Sequence, residues 1–180
     1  MAKTIYFVRH CAAAGQEADA PITEAGVLQA ERLASLLCNS GVQRIVSSPY
    51  RRACQSIMPL AERLGQDVET DIRLTERVLC AGNCPDWMDR LRASFSDFDL
   101  CLPGGESSRT ATARAIAAIE DCLKIGPAST IVVTHGNLLA LILKHYDADV
   151  GFAEWKALSN PDVYRVRFQS DSAQVKRVWE

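Results

Sequence analysis

Histidine, excess charge of one sign and long apolar runs are all scarce in this sequence. Three histidines occur among the 180 residues, and 20 Lys and Arg against 22 Asp and Glu leave a net charge of -2. This balance argues against a protein that holds nucleic acid through bulk positive charge. The hydrophobic fraction of 48% also excludes a disordered chain, because such chains have too little apolar surface to form a core.

Membrane and secretory features are lacking as well. No window approaches the roughly 18 consecutive apolar residues of a membrane-spanning helix, and the opening MAKTIYFVRH does not resemble a signal peptide. We therefore expect a cytoplasmic protein with no membrane and no nucleic-acid partner. The sequence does not indicate an oligomeric state.

The seven cysteines do not form a disulfide framework, since their number is odd and their spacing irregular. In a reducing compartment they are expected to be free thiols. Cys80 and Cys84 form a single CxxxC pair, but no second pair or neighbouring histidine completes a metal site. We therefore predict no metal and no cofactor.

Short apolar runs alternate with helical patterns along most of the chain. The runs at 4–8, 44–46 and 130–133 are continuous, which is typical of strands buried on both faces. Strands that alternate with helices predict a three-layer α/β/α sandwich with a mainly parallel central sheet. The segments 163–168 and 175–179 instead predict an antiparallel C-terminal edge, because their polar and apolar residues alternate around a polar turn.

The first two helices have recognisable ends. Thr23 is predicted to cap a helix that ends near Gly41. Ser48 and Pro49 are predicted to be the N-cap and first residue of a second helix, which Gly65 stops. The apolar stripe predicted for the first helix consists of Val27, Leu28, Leu33, Leu36 and Leu37. Later helical patterns cover about 106–123 and the residues after 136.

Residues 1–180 are predicted to form a single domain, since the sequence contains no repeat, linker or low-complexity tract. An irregular stretch at about 77–104 interrupts the alternation of strands and helices. Apolar residues at spacings of three and four predict a short amphipathic helix in this stretch, as part of a cap-like insert. They are Trp87, Met88, Leu91, Phe95 and Phe98.

Cationic residues follow each of the three predicted buried strands. Arg9 and His10 follow the first strand, Arg51 and Arg52 the second, and His135 the third. Because ligands of open α/β sheets bind beyond the carboxyl ends of the strands, these side chains are expected to meet at one edge. Helix N-termini at the same edge and guanidinium groups both favour phosphate. Each residue alone has an ordinary structural explanation, but their joint placement predicts a phosphate site.

The ordered motifs of the chain resemble those of the histidine phosphatase superfamily, also called phosphoglycerate mutase-like. The resemblance covers most of the chain, and the set is specific although each motif alone is weak. It implies the α/β fold described above and an enzyme that acts on phosphate monoesters. The matching segments are Arg9-His10, Pro21-Ile22-Thr23-Glu24-Ala25-Gly26 with Gln29-Ala30, Ser48-Pro49-Tyr50-Arg51-Arg52-Ala53-Cys54-Gln55-Ser56, Leu74-Thr75-Glu76, Pro103-Gly104-Gly105-Glu106-Ser107 and Thr134-His135-Gly136-Asn137.

The resemblance implies that neutral His10 attacks phosphorus in line and forms a phosphohistidine, which water then hydrolyses. The other ring nitrogen is expected to be held by a hydrogen bond, often to a backbone carbonyl. Arg9, Arg52 and His135 are implied to hold the equatorial phosphate oxygens without a metal. Arg52 fits the family pattern because it precedes alanine, which leaves Arg51 at the surface or facing the substrate.

Glu76 is the implied general acid, which protonates the leaving oxygen and then activates water. The alternative is a solvated glutamate, and the stretch that often follows this acid in the family is missing here. Asp86 is therefore a second candidate for the acid. Ser107 and Asn137 are expected to contact substrate, whereas His145 is expected to have a structural role.

Cys11 stands where the family has glycine, which is the clearest departure from its pattern. Glycine lets backbone approach phosphate closely, whereas a cysteine side chain either narrows the pocket or points away. A further interpretation is a redox-sensitive thiol beside the nucleophile, since nearby cations lower the pKa of a thiol.

The leading prediction is a phosphomonoesterase that hydrolyses a small phosphorylated metabolite. The alternatives are a phosphoglycerate-type mutase, a protein phosphohistidine phosphatase and, outside the enzymes, a non-catalytic phosphate-binding scaffold. Mutases of this kind usually have additional loops, so a length of 180 residues favours hydrolysis. Mixed charges in the insert give no indication of a polyanionic substrate.

Overall fold

A single sheet lies at the centre of the protein, in a computed structural model that describes residues 2–169 and 172–180. Its strands are β1 (Lys3–Arg9), β2 (Arg44–Ser47), β3 (Val68–Thr70), β4 (Ser129–Thr134), β5 (Asp162–Gln169) and β6 (Ser172–Arg177). The strand order is β3-β2-β4-β1-β5-β6. Strands β3, β2, β4 and β1 run parallel to one another, whereas β5 pairs antiparallel with β1, and β6 pairs antiparallel with β5. The antiparallel C-terminal edge is confirmed, although residues 170 and 171 of its polar turn lie outside the described residues.

Helices cover both faces of this sheet, as the continuous apolar runs predict. They are α1 (Glu24–Leu37), α2 (Arg51–Leu64), α3 (Trp87–Ser96), α4 (Ser108–Ile125), α5 (Gly136–Tyr146) and α6 (Phe152–Ala157), with a 3₁₀ turn at Ile72–Leu74. Successive strand residues face different cores: Phe7 packs in the core beneath α4 and α5, and Val8 in the core beneath α1 and α2. The predicted three-layer sandwich is therefore confirmed.

The buried face of α1 differs from the predicted stripe. Val27, Leu28 and Leu36 are 51%, 69% and 44% exposed, whereas small residues share the buried face with two of the predicted leucines. A Cβ added to Gly26 would lie 2.3 Å from the Ala12 carbonyl oxygen, so the helix lies too close to this loop for a larger residue. The buried residues are Gly26, Ala30, Leu33, Ala34 and Leu37.

The ends of the first two helices also differ in part from prediction. The Thr23 cap of α1 is confirmed, since its hydroxyl accepts a hydrogen bond from Gly26 N–H at 3.1 Å, but α1 ends before Gly41. α2 begins at Arg51 with Tyr50 as its N-cap, not at Pro49 with Ser48. Its end at Gly65 is confirmed, in the left-handed conformation at φ 63° that favours glycine.

Candidate active site

The carboxyl ends of β1, β2 and β4 bring the predicted cationic residues together. His10 follows β1, Arg52 lies in the first turn of α2, and His135 connects β4 to α5. The two imidazole centroids are 5.1 Å apart, and Arg52 Nε lies 3.2 Å from His10 Nε2. All three side chains are buried, whereas the neighbouring Arg51 is exposed. The structure thus separates the two adjacent arginines in the predicted way.

The hydrogen bonds of His10 define its tautomer. Nδ1 lies 2.7 Å from the carbonyl oxygen of Cys11, and because a carbonyl only accepts, Nδ1 carries the proton. Nε2 is therefore unprotonated, and its lone pair accepts a hydrogen bond from the Nε–H of Arg52. Burial lowers the pKa of His10 to about 4, the charges of Arg52 and Arg9 act in the same direction, and the Cys11 carbonyl opposes them. The ring is neutral near pH 7, as a nucleophile requires.

One of the two ring nitrogens of His135 has a hydrogen-bond partner among the described residues, and the other has none. Its Nε2 lies 2.7 Å from Ser48 Oγ, while Nδ1 is buried and has no partner among the described residues. Burial, followed by the nearby His10 and Arg52, lowers the pKa of His135 well below its usual range. Nδ1 is therefore the ring atom of His135 that is left to bind a ligand.

Unpartnered buried polar atoms are concentrated at this site. Within residues 2–169 and 172–180, seven buried side-chain nitrogen or oxygen atoms have no hydrogen-bond partner. Four of the seven belong to residues at this sheet edge: Arg9 Nε, His135 Nδ1 and both amide atoms of Asn137. A buried polar group without a partner costs about 1–3 kcal/mol, so a bound polar ligand would stabilise this region.

Gly136 allows Arg9 to lie against the N-terminus of α5. A Cβ at this position would lie 3.0 Å from three atoms of the Arg9 guanidinium group. On its other side, Arg9 Nη1 donates to the carbonyl oxygens of Leu158 and Ser159. Burial lowers the pKa of Arg9 and of Arg52, and in each case the charge of Glu76 partly opposes this shift. These desolvated cations favour an anion as the ligand.

Glu76 occupies the N-terminus of α5 and is not a solvated glutamate. Its Oε2 accepts the backbone N–H of Asn137 at 3.0 Å, and its Oε1 that of Leu138 at 2.9 Å. Oε1 also accepts the N–H of Arg77. A carboxylate at this position satisfies free helix N–H groups and interacts favourably with the helix dipole. The segment is fixed by Arg114, which donates to the carbonyl oxygens of residues 73 and 75.

A cavity of about 390 Å³ opens beside Arg9 and Glu76. Asn137 also lines it, whereas the predicted residues His10, Arg52, His135, Ser107 and Asp86 do not. Ser107 is the N-cap of α4, where its hydroxyl accepts the N–H of Thr110, and Asp86 is the exposed N-cap of α3. The lining consists of Arg9, Gln16, Glu76, Arg77, Leu79, Trp87, Leu91, Gly136, Asn137 and Trp155.

Cys11 does not have the environment of a reactive thiol. The residue is fully buried, its N–H donates to Ser56 Oγ at 2.8 Å, and it does not line the cavity. Burial raises its pKa to about 11, which contradicts the redox interpretation because that required a lowered pKa. All seven cysteines are free, and no cluster of potential metal ligands occurs among the described residues.

Several residues that support the site were missed by sequence reasoning. Ser48 was interpreted as a helix cap, although its hydroxyl contacts His135. Asn160 Nδ2 donates to the His10 carbonyl at 2.8 Å, but it lies in a loop after α6 that no motif marks. Trp155 lies in α6, which was too short to predict. Of these three residues, only Ser48 could have been predicted from the sequence, because it closely follows a predicted strand, as His10 and His135 do.

Fold and site together define an α/β protein with a histidine and arginine pocket at the carboxyl edge of its sheet. A family model described as histidine phosphatase superfamily (branch 1) matches residues 5–180. The chain belongs to this superfamily, which comprises phosphatases and mutases with a catalytic histidine.

Relatives of known name include both kinds of enzyme. A probable phosphoglycerate mutase GpmB of Proteus mirabilis is 30% identical over 164 residues, which is 86% of this chain and 76% of the relative. Its counterpart in Yersinia pestis is 28% identical over 163 residues, covering 85% and 76%. Among solved structures, mycobacterial glucosyl-3-phosphoglycerate phosphatase with VO3 has a TM-score of 0.78 at 26% identity, covering 98% of both chains. Mycobacterial hydrolase 1 has a TM-score of 0.81 at 25% identity, covering 99% and 98%.

No helix of the described residues is long and apolar enough to cross a bilayer.

Proposed function

We propose that this protein is a phosphomonoesterase that hydrolyses a small phosphorylated metabolite through a phosphohistidine at His10. The observation that carries this proposal is the state of His10: a neutral ring with a fixed tautomer, whose Nε2 lone pair faces a group of cations. Nothing but the Arg52 Nε–H engages this lone pair among the described residues. An incoming phosphoryl group exchanges that bond for a bond to phosphorus.

Each residue of the site has a proposed role in this reaction. Nε2 of His10 forms a bond to phosphorus while the bond from phosphorus to the leaving oxygen breaks, and water later attacks the phosphohistidine. Arg9, Arg52 and His135 hold the equatorial oxygens, whose charge they stabilise in the transition state. His135 does so through Nδ1–H, while its Nε2 accepts the Ser48 hydroxyl. Asn137 presents its unpartnered amide to the substrate. Ser107 and Asp86 are left out because each is the N-cap of a helix, and among the described residues neither lines the cavity nor hydrogen-bonds to His10, Arg52 or His135.

Glu76 is proposed as the general acid. A carboxylate has about four lone-pair positions, and three N–H donors occupy three of them. One position therefore remains to carry the proton that the leaving oxygen receives. The same group then accepts a proton from the attacking water.

Hydrolysis is preferred over phosphoryl transfer between substrates because water reaches the cavity. Trp87, on the cavity wall, is 46% exposed. We further propose that residues 1–180 act as one domain and that the insert at about 77–104 partly covers the site as a cap. It supplies Arg77, Leu79, Trp87 and Leu91 to the cavity. A small metabolite fits such a covered site better than a phosphorylated protein does.

The proposal is tested by phosphate release from p-nitrophenyl phosphate and from a panel of phosphorylated metabolites, with excess EDTA present. We expect hydrolysis to continue in EDTA, since the cations of the site replace a metal. Isomerisation of phosphoglycerate, followed in the same preparation, is expected to be slower than hydrolysis of the best monoester. Phosphate binding with neither hydrolysis nor a phosphoenzyme would instead support the scaffold alternative.

Glu76→Gln tests the role of the acid through the leaving group. Turnover of an alkyl phosphate is expected to fall about a hundredfold, because its alcohol needs a proton. The nitrophenolate of p-nitrophenyl phosphate leaves without protonation, so its turnover is expected to fall much less. The measurement is the ratio of kcat/KM for the two substrates.

A matched control is Thr23→Ala, which removes a helix cap distant in sequence from the acid. It is expected to lower the unfolding free energy by about 1 kcal/mol without changing the substrate ratio. Equal losses on both substrates in Glu76→Gln would limit Glu76 to capping α5.

A further inference from the structure

The cavity beside the phosphate site has two ends of different character. Arg9, Glu76, Gly136 and Asn137 form a polar end, where the Arg9 guanidinium lies against Gly136 and Glu76 accepts the Asn137 N–H. The other end is lined by Trp87 and Trp155, whose ring centroids are 6.3 Å apart at 85°, and by two leucines, Leu79 and Leu91. The polar end corresponds to the phosphoryl group, so the apolar end receives the alcohol part of the substrate.

We propose, resting on the phosphatase function above, that this alcohol carries an aromatic ring that binds against Trp87 and Trp155. Two tryptophans in an edge-to-face arrangement present both a ring face and a ring edge to the cavity. Aromatic ligands contact such rings in offset-stacked or T-shaped geometry. Trp87 is an exposed large apolar side chain at this wall, which an aromatic ligand would cover.

The tryptophan wall is supported from behind by further aromatic residues. The ring of Trp155 lies 5.3 Å from that of Phe152, which in turn lies 6.2 Å from that of Phe95. The Arg92 guanidinium lies over the Phe152 ring at 4.8 Å. Because this stack extends to the buried Phe95, Trp155 is held in place before a ligand binds. A preorganised wall loses little conformational entropy on binding.

An aromatic ring fits this end better than a sugar does. A sugar requires a hydrogen-bonding partner for most of its hydroxyl groups, since unpaired polar groups weaken binding. Apart from the polar end, the lining includes only Gln16 and Arg77 as polar side chains. Arg77 donates through Nε to the Glu106 carbonyl oxygen and through Nη1 to the hydroxyls of Ser94 and Ser108, which leaves Nη2 as its remaining donor. The remaining wall is tryptophan and leucine, which packs against an aryl group over its whole surface but offers few hydrogen-bond partners to the several hydroxyl groups of a polyol.

The first experiment compares monoesters of primary alcohols, so that leaving-group chemistry is similar throughout. The panel is benzyl phosphate, cyclohexylmethyl phosphate, n-butyl phosphate, glycerol phosphate and a hexose phosphate. We expect kcat/KM for benzyl phosphate to exceed that for n-butyl phosphate at least about tenfold, with cyclohexylmethyl phosphate between them. Equal rates for the benzyl and cyclohexylmethyl esters, or preference for either polar ester, would overturn the aromatic assignment.

The second experiment replaces the rings. Trp87→Leu and Trp155→Leu keep an apolar side chain but remove the aromatic face, and each is expected to reduce the benzyl to butyl preference at least about threefold. Trp179→Leu is the matched control, because the partly buried Trp179 packs against the core on the other face of the sheet, with the Arg32 guanidinium over its ring. The ratio of two substrates in one preparation does not depend on the fraction of folded protein, so partial unfolding of a variant does not affect it.

Failure of this inference is distinguishable from failure of the proposed function. Hydrolysis of n-butyl phosphate with no preference for benzyl phosphate leaves the phosphatase standing and removes the aromatic subsite. The aromatic subsite is also contradicted, with the phosphatase function intact, if Trp87→Leu and Trp155→Leu have the same benzyl to butyl ratio of kcat/KM as Trp179→Leu. Absence of hydrolysis across the whole panel contradicts the phosphatase function itself, and the inference with it.

Discussion

His10→Gln is expected to abolish turnover, with a loss of kcat/KM of at least about a thousandfold. The glutamine amide can still donate a hydrogen bond to the Cys11 carbonyl, as Nδ1 does in the native protein. It has no nitrogen lone pair of comparable nucleophilicity, so no bond to phosphorus forms. Labelling with a phosphomonoester and acid quenching should show acid-labile, base-stable phosphate in the native protein and none in the variant.

His145→Gln provides the control for this substitution. His145 is exposed at the end of α5, and its replacement is expected to leave both turnover and labelling unchanged. Comparable thermal melting of the two variants would show that the loss in His10→Gln is chemical. Retained phosphate labelling in His10→Gln would assign the nucleophile to another residue and overturn the central part of the proposal.

Arg52→Lys is expected to lower kcat/KM about a hundredfold, which is the range for removing one group that stabilises transition-state charge. Lysine keeps the positive charge but loses the fork with which Arg52 binds three acceptors at once. In the native protein, Arg52 Nε donates to His10 Nε2, and Arg52 Nη1 donates to the carbonyl oxygens of Gln16 and Glu17. The ammonium group of lysine has no such fixed planar geometry. It therefore cannot bind the phosphate and the loop that contains Gln16 and Glu17 at the same time. Steady-state kinetics with p-nitrophenyl phosphate measure the loss.

Arg51→Lys is the matched control, since it makes the same chemical change one residue earlier in the same helix. Arg51 is exposed, whereas Arg52 is buried, and we expect a change of less than about twofold, as for a surface site. Similar losses in the two variants would mean that positive charge at the start of α2 is what matters. The specific contact of Arg52 with His10 would then carry no weight in the mechanism.

Strand positions and the residues that follow them were predictable because two physical constraints act together. A strand buried on both faces must be apolar at every position, and the runs around Phe7 and Val132 satisfy this. Parallel strands also bring their carboxyl ends to one edge, so the residues after them must be neighbours. These two constraints are sufficient to predict that His10, Arg52 and His135 lie close together.

Packing of small residues and long-range contacts were not predictable in the same way. The predicted stripe of α1 is wrong in part because the close approach of the Ala12 backbone requires Gly26 on the buried face, and hydrophobicity does not report that distance. Glu76 lies far in sequence from the α5 N–H groups that it binds, so a loop glutamate could not be distinguished from a helix cap. The pKa of Cys11 is set by burial, which outweighs the hydrogen bonds from Ser56 and the backbone, and burial of a loop residue is not visible in the sequence.

The main-chain oxygen of residue 11 gives the site a form of mutational robustness. Every amino acid carries this oxygen, so a codon change at position 11 alters a side chain but leaves the acceptor that fixes the His10 proton on Nδ1. The tautomer of His10 is thereby independent of the side chain at position 11. Replacement of the buried side chain at position 11 is limited by packing and by the N–H bond to Ser56, and cysteine at this position leaves the Nδ1 proton of His10 in place.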